Sequence, residues 1–130
     1  MERDSLQDVI PLNNVCLFNQ MAGPLFRELA IEVAERSTGG ATLYTGHPDT
    51  VALGARIGAL RIVPLPVYDR SSRRARLRSW LSYSLRAFLR MLLLPGGSVL
   101  VIVSNPPTLG PLAWLASCLR RHRYFVLVYD

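Results

Sequence analysis

The sequence predicts an α/β protein built on an open parallel sheet with helices on both faces. Two observations support this prediction. Short apolar runs alternate along the chain with longer segments of helical periodicity, and short loops join them. The run over residues 98–104, SVLVIVS, is rich in β-branched residues, which is typical of a strand buried on both faces of a parallel sheet.

Length and composition indicate one folded domain over residues 1–130. Half of the 130 residues are hydrophobic and 18% are charged, which excludes a disordered chain. The amino terminus has no basic segment followed by an apolar run, so we expect no secretory signal and a cytoplasmic location. Cys16 and Cys118 lie far apart without metal-binding spacing, and both are predicted to be buried apolar residues.

The first part of the chain predicts a βαβ unit. A strand over 14–19 leads to a tight turn at Gly23, and Pro24 suits the first position of a helix that ends before residues 37–40. A second strand follows over 41–45. One face of the helix is apolar, with Phe26, Leu29, Ala30, Val33 and Ala34, while Glu32 and Arg36 have the spacing of an ion pair.

A turn-rich loop over 46–55 and a short strand over 60–63 lead to a long predicted helix over 73–94, which Pro95 ends. In this helix Leu77, Leu81, Leu85, Phe88 and Leu92 share an arc of roughly 80°, and Arg78, Ser82, Arg86 and Arg90 occupy a neighbouring arc. Its last turn, 89–94, is apolar nearly all round, so we expect protein or lipid to cover it.

The remaining segments predict a strand over 98–104, a loop over 105–108, a helix over 109–121 and a buried strand over 124–129. On the helix, Leu112, Leu115, Ala116 and Leu119 share one side. In open parallel sheets, ligands bind at the carboxyl ends of the strands. This rule predicts that Gly23, Gly46, His47, Ser104, Asn105 and Asp130 lie along one rim.

Charge is distributed unevenly along the chain. All fifteen basic residues are Arg; residues 1–69 hold five of them against eight acids, whereas residues 70–129 hold ten and no acid. A surface of this kind attracts anionic lipid, phosphate groups or nucleic acid.

Three stretches together resemble glycosyltransferase family 4, above all the branch that builds cell-surface polysaccharides on lipid carriers. MAGPLFRELAIEVAER with ATLYTGHP resembles the glycine loop, first helix and second strand of that family. RIVPLPVYDRSSRRARLRSWLSYSLRAFLRML is similar to its Arg-rich loop and long apolar helix, and SNPPTLGPLAWLASCLRRHRYFVLVYD to its Pro-Pro loop, helix and strand. The resemblance covers residues 21–130.

The resemblance implies the Rossmann-like amino-terminal half of a two-domain GT-B enzyme that retains anomeric configuration without a required metal. That half binds a lipid-linked or polysaccharide acceptor, while a carboxy-terminal domain, absent here, chiefly binds the nucleotide sugar. We therefore interpret the chain as truncated and expect it to be inactive alone. No cofactor is expected, because the nucleotide sugar is a substrate.

Four residues are candidates for the resulting cleft. Gly23 would let the backbone approach a diphosphate, His47 would contact a sugar, Asn105 would bond an acceptor hydroxyl, and Asp130 would act on the acceptor or orient its neighbours. A turn glycine, an exposed loop histidine and a turn-capping asparagine are the simpler interpretations of the first three. The predicted contacts with membrane or lipid phosphate are Arg73, Arg74, Arg76, Arg78 and Trp80.

Three other classes are alternatives to a transferase. In the first, the chain is a non-catalytic subunit that recruits a separate donor domain to the inner face of the cell membrane. Nucleic-acid binding is disfavoured, because the arginine cluster lies on an apolar helix and no nucleic-acid motif accompanies it. Dinucleotide oxidoreductases are also disfavoured, since no GxGxxG follows the first strand.

Overall fold

The computed structural model describes residues 13–104 and 106–128. These residues form six strands and four helices around one sheet. In chain order they are β1 (Asn13–Phe18), α1 (Pro24–Arg36), β2 (Thr38–Thr45), α2 (Pro48–Val51), β3 (Arg56–Ile57), β4 (Leu60–Pro64), α3 (Arg73–Leu93), β5 (Val99–Val103), α4 (Leu109–Arg120) and β6 (Arg123–Leu127).

The strand order is β3-β4-β2-β1-β5-β6. All neighbouring pairs are parallel except β3 and β4, which pair antiparallel. The chain moves outward from β1 through β2 to β4, then returns to the other side of β1 for β5 and β6. The carboxyl ends of β1 and β5 therefore form the switch point at which α/β sheets open a crevice for ligands.

Helices cover both faces of the sheet, which confirms the predicted fold class. On one face α1 packs through Phe26, Ala30 and Ala34 onto alternate residues of β1, β2 and β4. On the other face α3 and α4 pack onto Phe18, Leu100 and their neighbours. The buried side chains of α3 itself are Ser79, Tyr83, Ser84, Ala87 and Met91.

Close backbone contacts explain two of the glycines. A Cβ atom at Gly40, where φ is +80°, would lie 2.3 Å from the carbonyl oxygen of Ala59. A Cβ atom at Gly46 would lie 2.3 Å from the carbonyl oxygen of Pro66. The chain segments that leave β2 and β4 can therefore approach each other only because residue 46 has no side chain.

Several sequence predictions about elements hold. The long basic helix spans Arg73–Leu93, and Ser72 caps it by accepting a hydrogen bond from the Ala75 backbone N–H at 3.0 Å. Glu32 and Arg36 form the predicted ion pair at 2.7 Å. The prediction of a loop over 46–55 was incomplete, because this segment contains the short helix α2 and leads into β3.

Other predictions about burial are wrong. Cys118 is exposed, although Cys16 is buried as expected. On α4 the sheet packs against Leu109, Ala113, Ala116 and Ser117, so small side chains allow close approach while Leu115 and Leu119 point outward. On α1, Leu29 is 42% exposed for the same reason, since the alanines face the sheet.

The prediction of a buried last strand is also wrong. β6 lies at the edge of the described sheet, and Arg123, Tyr124, Phe125 and Val126 are all exposed. The run of β-branched and aromatic residues identified a strand correctly, but it does not reveal whether that strand is central or at an edge.

Candidate functional site

The candidate site lies where β1 and β2 end and their loops meet. The hydroxyl of Thr45, at the end of β2, joins the two loops: it donates to the Gln20 carbonyl at 3.2 Å and accepts from the backbone N–H groups of Ala22 at 3.3 Å and His47 at 3.2 Å. The Gly46 N–H donates to the same Gln20 carbonyl at 3.0 Å. Because Thr45 and Gln20 are fully buried, these bonds fix the positions of Gly23 and His47.

Gly23 and His47 face each other across this rim. A Cβ atom built at Gly23 would lie 3.8 Å from His47 Nε2, which is ordinary van der Waals contact. The φ angle of Gly23 is −79°, which any residue adopts. Neither backbone conformation nor packing therefore requires glycine at this position.

The amino terminus of α1 opens at the same place. Gly23 is its N-cap residue and offers no side-chain cap, and Pro24 occupies the first turn. Uncapped first-turn N–H groups and the helix dipole favour an anion there. Arg27, one turn further along α1, donates from Nη1 to the Thr50 hydroxyl at 3.2 Å, and that hydroxyl donates to the Ala22 carbonyl at 2.6 Å.

His47 is half-buried at the start of α2. Its Nδ1 atom is buried and makes no hydrogen bond with the residues that the structure describes. A buried ring nitrogen without a partner is uncommon. The bond from the His47 backbone N–H to Thr45 therefore positions this residue, while Nδ1 makes no hydrogen bond with the described residues.

Gln20 connects this rim to the long helix. Its side-chain amide donates to the carbonyls of Pro66 at 3.2 Å and Ser79 at 3.0 Å, so one buried residue bonds both the segment after β4 and the first half of α3. Sequence reasoning missed Gln20 and Thr45, because single polar residues after strands carry no motif. Their position at strand ends is the signal that would have identified them.

The arginines of α3 begin at the same end of the sheet. Since β4 is parallel to β1 and leads to α3 through residues 65–72, the amino terminus of α3 lies on the carboxyl side of the sheet. Arg73, Arg74, Arg76 and Arg78 are all exposed. Trp80 is half-buried, and its ring stacks on Tyr68 with the centroids 6.1 Å apart.

A line of leucines follows the exposed side of α3, and we call it the leucine stripe. Its members recur every fourth residue and are half to four-fifths exposed: Leu77, Leu81, Leu85, Leu89 and Leu93. Arg74, Arg78, Arg86 and Arg90 flank the stripe and are exposed. The helix is therefore amphipathic in an unusual sense, because its apolar stripe faces away from the core.

Two shallow grooves adjoin the stripe, each with a volume of about 460 Å³. One runs between α3 and α4 and is almost wholly apolar, with Leu81, Leu85, Pro111 and Leu112 in its walls. The other is lined by Arg74, Leu77, Arg78, Leu81, Ser82 and Leu85. Together they place an apolar trough beside two guanidinium groups.

One acid, Asp69, lies in the loop just before the arginines of α3. Asp69 is exposed, and its pKa is lowered by hydrogen bonds from the backbone and side chain of Ser71, with a smaller contribution from Arg78. Asp69 is therefore ionised at neutral pH. It bonds within its own loop, where the Ser71 N–H donates to it at 3.0 Å, so it does not pair with the arginines of α3.

Two of the predicted site residues, Asn105 and Asp130, lie outside the described residues. Among the described residues, β5 ends at Val103 and Ser104 reaches the switch point. In the parts of the chain that are described, no three His, Cys, Asp or Glu side chains lie close enough to hold a metal ion. Nor does any helix of the described chain have the length and apolarity needed to cross a bilayer.

Comparison with known proteins supports the fold. No protein-family model matches the chain, and no curated protein sequence matches it. The C-terminal domain of a hydrogenase from Pyrococcus furiosus has a similar structure, with a TM-score of 0.60 and 8% sequence identity over 90% of this chain and 92% of that domain. At this identity the similarity establishes the α/β fold alone.

Proposed function

We propose that this chain is the acceptor-binding half of a retaining glycosyltransferase of the GT-B type. In this proposal it holds a lipid-linked or polysaccharide acceptor at the inner face of the cell membrane, and a donor domain supplies the nucleotide sugar for polysaccharide biosynthesis. The main support is that the Gly23–His47 rim and the start of the leucine stripe lie at the same end of one sheet, connected by Gln20.

The leucine stripe and its arginines match the chemistry of an anionic bilayer surface. Leucine side chains enter the boundary between headgroups and acyl chains, while arginines keep their guanidinium groups at the level of the phosphates. Each arginine near such a surface contributes about 1 kcal/mol. The stripe lies along the whole helix, so α3 would lie parallel to the membrane rather than across it.

The rim has the chemistry that a sugar diphosphate requires. The uncapped amino terminus of α1 favours a phosphate group, and glycine at position 23 lets that group approach the backbone. In the proposal His47 bonds a sugar hydroxyl or a phosphate oxygen, and its Nδ1 has no hydrogen-bond partner among the described residues. Asn105 and Asp130 keep their proposed roles toward the acceptor, and Arg73, Arg74, Arg76 and Arg78 would hold its lipid diphosphate.

The proposal is tested by sedimentation with two sets of anionic vesicles that differ only in a polyprenyl diphosphate-linked sugar. We expect the chain to bind the vesicles with the glycolipid more tightly. In His47→Ala the preference for the vesicles with the glycolipid should fall roughly tenfold, the size of one charge-assisted hydrogen bond. Its binding to plain vesicles should equal that of the unaltered chain. Equal binding of the unaltered chain to both sets would contradict the proposal, whatever the strength of membrane binding itself.

A further inference from the structure

The exposed strand β6 carries apolar side chains on both of its faces. Phe125 is 56% exposed and lies on the α1 side of the sheet, whereas Tyr124 and Val126 lie on the α4 side and are about two-fifths exposed. Val128, just after the strand, is 73% exposed. Edge strands of stable monomers usually carry charges, proline or a bulge that prevent pairing.

The backbone of β6 is prepared for another strand. The Arg123 N–H donates to the Ser98 carbonyl at 3.0 Å, and the Leu127 carbonyl accepts from the Ser104 N–H at 3.1 Å. In a parallel ladder alternate residues bond to one neighbour, so Phe125 also bonds toward β5. The N–H and C=O groups of Tyr124 and Val126 therefore point away from the sheet, and the β5–β6 register contains no bulge.

From this geometry we infer that β6 pairs antiparallel with β6 of a second copy of this chain, about a two-fold axis beside Phe125. Tyr124 of each copy then bonds Val126 of the other through two backbone hydrogen bonds. Phe125 lies opposite Phe125 as a close non-bonded pair with Cα atoms about 4.5 Å apart, so the two rings can stack. The two sheets become one continuous sheet.

A second copy fits because the strand is self-complementary. Arg123 lies opposite Leu127 of the partner copy, so no charge faces a like charge. The two Arg123 residues are about 14 Å apart at ~3.4 Å per residue, beyond the Debye length of about 10 Å at 0.1 M salt. Trp114 is 56% exposed and lies about 200° around α4 from Leu112, which lines the groove toward α3.

The helices and the buried area also suit this arrangement. α4 packs on both β5 and β6, so strands about 4.8 Å apart bring α4 to about 10 Å from its symmetry mate, within the range of packed helices. The exposed parts of Trp114, Tyr124, Phe125, Val126 and Val128 amount to roughly 500 Å² per copy. A total of about 1,000 Å² is near the lower limit for a specific interface and indicates a weak, reversible dimer.

Sedimentation equilibrium of the whole chain over a range of concentrations tests the inference. We expect reversible dimers that strengthen as salt rises, because each copy carries a net charge of +6 and salt screens that repulsion. Phe125→Asp and Phe125→Lys should each be monomeric, since like charges then meet at the axis. An equal mixture of the two should recover dimers.

A second variant separates loss of pairing from loss of folding. Val126→Pro removes an outward N–H and leaves the bonds between β5 and β6 intact, so it should be folded by circular dichroism and monomeric. An unaltered chain that stays monomeric at ~1 mM would overturn the inference. The inference would also be overturned if Phe125→Asp, Phe125→Lys and Val126→Pro, each measured alone, formed dimers as strongly as the unaltered chain. Neither result depends on membrane binding or sugar transfer.

Discussion

Gly46 is a residue whose missing side chain the fold requires. Its Cβ position would lie 2.3 Å from the Pro66 carbonyl oxygen and 2.8 Å from Val67 Cα, and both are backbone atoms that cannot turn aside. We predict that Gly46→Ala lowers the free energy of unfolding by about 2–3 kcal/mol, the range of forced overpacking. Urea denaturation measures the change.

Gly110 offers the matched control for that variant. It lies in the first turn of α4, and apart from its chain neighbours a Cβ atom there would meet nothing within 4 Å. Gly110→Ala should change the free energy of unfolding by less than about 1 kcal/mol, because the smaller entropy loss of alanine is offset by crowding of its Cβ against the Pro111 ring. If Gly110→Ala lowers stability as much as Gly46→Ala does, the close approach at Gly46 is not what determines its effect.

His122 is a buried polar residue with a structural task. Nδ1 accepts from the Ser98 N–H at 3.1 Å, so Nε2 carries the proton and donates to the Met91 carbonyl at 2.7 Å. The ring thereby connects the end of α3 to the start of β5. We predict that His122→Ala lowers the free energy of unfolding by about 1–3 kcal/mol, since the Met91 carbonyl loses the imidazole donor and the Ser98 N–H keeps only its longer bond to the Pro95 carbonyl at 3.3 Å.

His47 provides the comparison for His122 in the same denaturation experiment. Its Nδ1 has no partner in the described chain, so His47→Ala should change stability by less than about 1 kcal/mol. A loss as large as that of His122→Ala would show that His47 supports the fold, which would weaken its assignment to a binding site.

At the residue scale, the sequence predicted what local patterns encode. The pairing of Glu32 with Arg36 and the start of α1 at Pro24 depend on spacing and backbone preference, which neighbouring residues reveal. The turn predicted at Gly23 lies instead at residues 20–21, and Gly23 is the extended N-cap residue of α1. The exposure of Cys118 depends on which side of α4 meets the sheet, and that is decided by distant residues. Gln20 and Thr45 act through bonds to loops far along the chain, so no local pattern marks them.

At the element scale, the contact between α3 and the sheet contains three buried ionisable groups. Burial raises the pKa of Cys16 from 9.0 to about 12 and that of Tyr44 from 10.0 to about 12, and it raises the pKa of Tyr83 well above 10.0. Tyr83 also donates to the Tyr44 carbonyl at 2.6 Å. All three groups must stay protonated in the folded chain.

We therefore predict that the free energy of unfolding falls at alkaline pH. The unfolded chain releases these protons near their ordinary pKa values while the folded chain keeps them, so the folded state binds more protons above about pH 9. Stability is fully present below that pH and falls as the pH rises toward 12. Urea denaturation at several pH values checks this, and Tyr83→Phe should flatten the fall. A constant free energy of unfolding from about pH 8 to pH 11 would contradict the burial of these groups.

Element boundaries were predictable where the local pattern is strong, as in the helical periodicity of α3 and the run of β5 that is rich in β-branched residues. The placement of β6 was not, because an edge strand and a central strand share the same β-branched and aromatic composition. The leucines of α3 illustrate a related limit. Their spacing predicted one coherent arc, but the buried side of the helix is the one with Tyr83, Ala87 and Met91, and the leucines face outward.

At the scale of the whole molecule, three features are combined on one sheet. The switch point lies at the carboxyl ends of β1 and β5, the rim with Gly23 and His47 lies beside it, and the leucine stripe extends from that end along α3. Residues 70–129 carry ten arginines and no acid, so the side of the molecule with α3 and α4 attracts anions. In the proposed function this side lies on a membrane with the rim at its edge.

The claim of membrane docking is tested by the binding of the purified chain to anionic vesicles at low and high salt. Two variants accompany it: Leu81→Gln with Leu85→Gln, and Arg73, Arg74, Arg76 and Arg78 all changed to Ser. We predict salt-sensitive binding by the unaltered chain, loss of the salt-sensitive part in the arginine variant, and weaker binding at every salt concentration in the leucine variant. Absence of binding by the unaltered chain at low salt, or full binding by both variants, would contradict the claim.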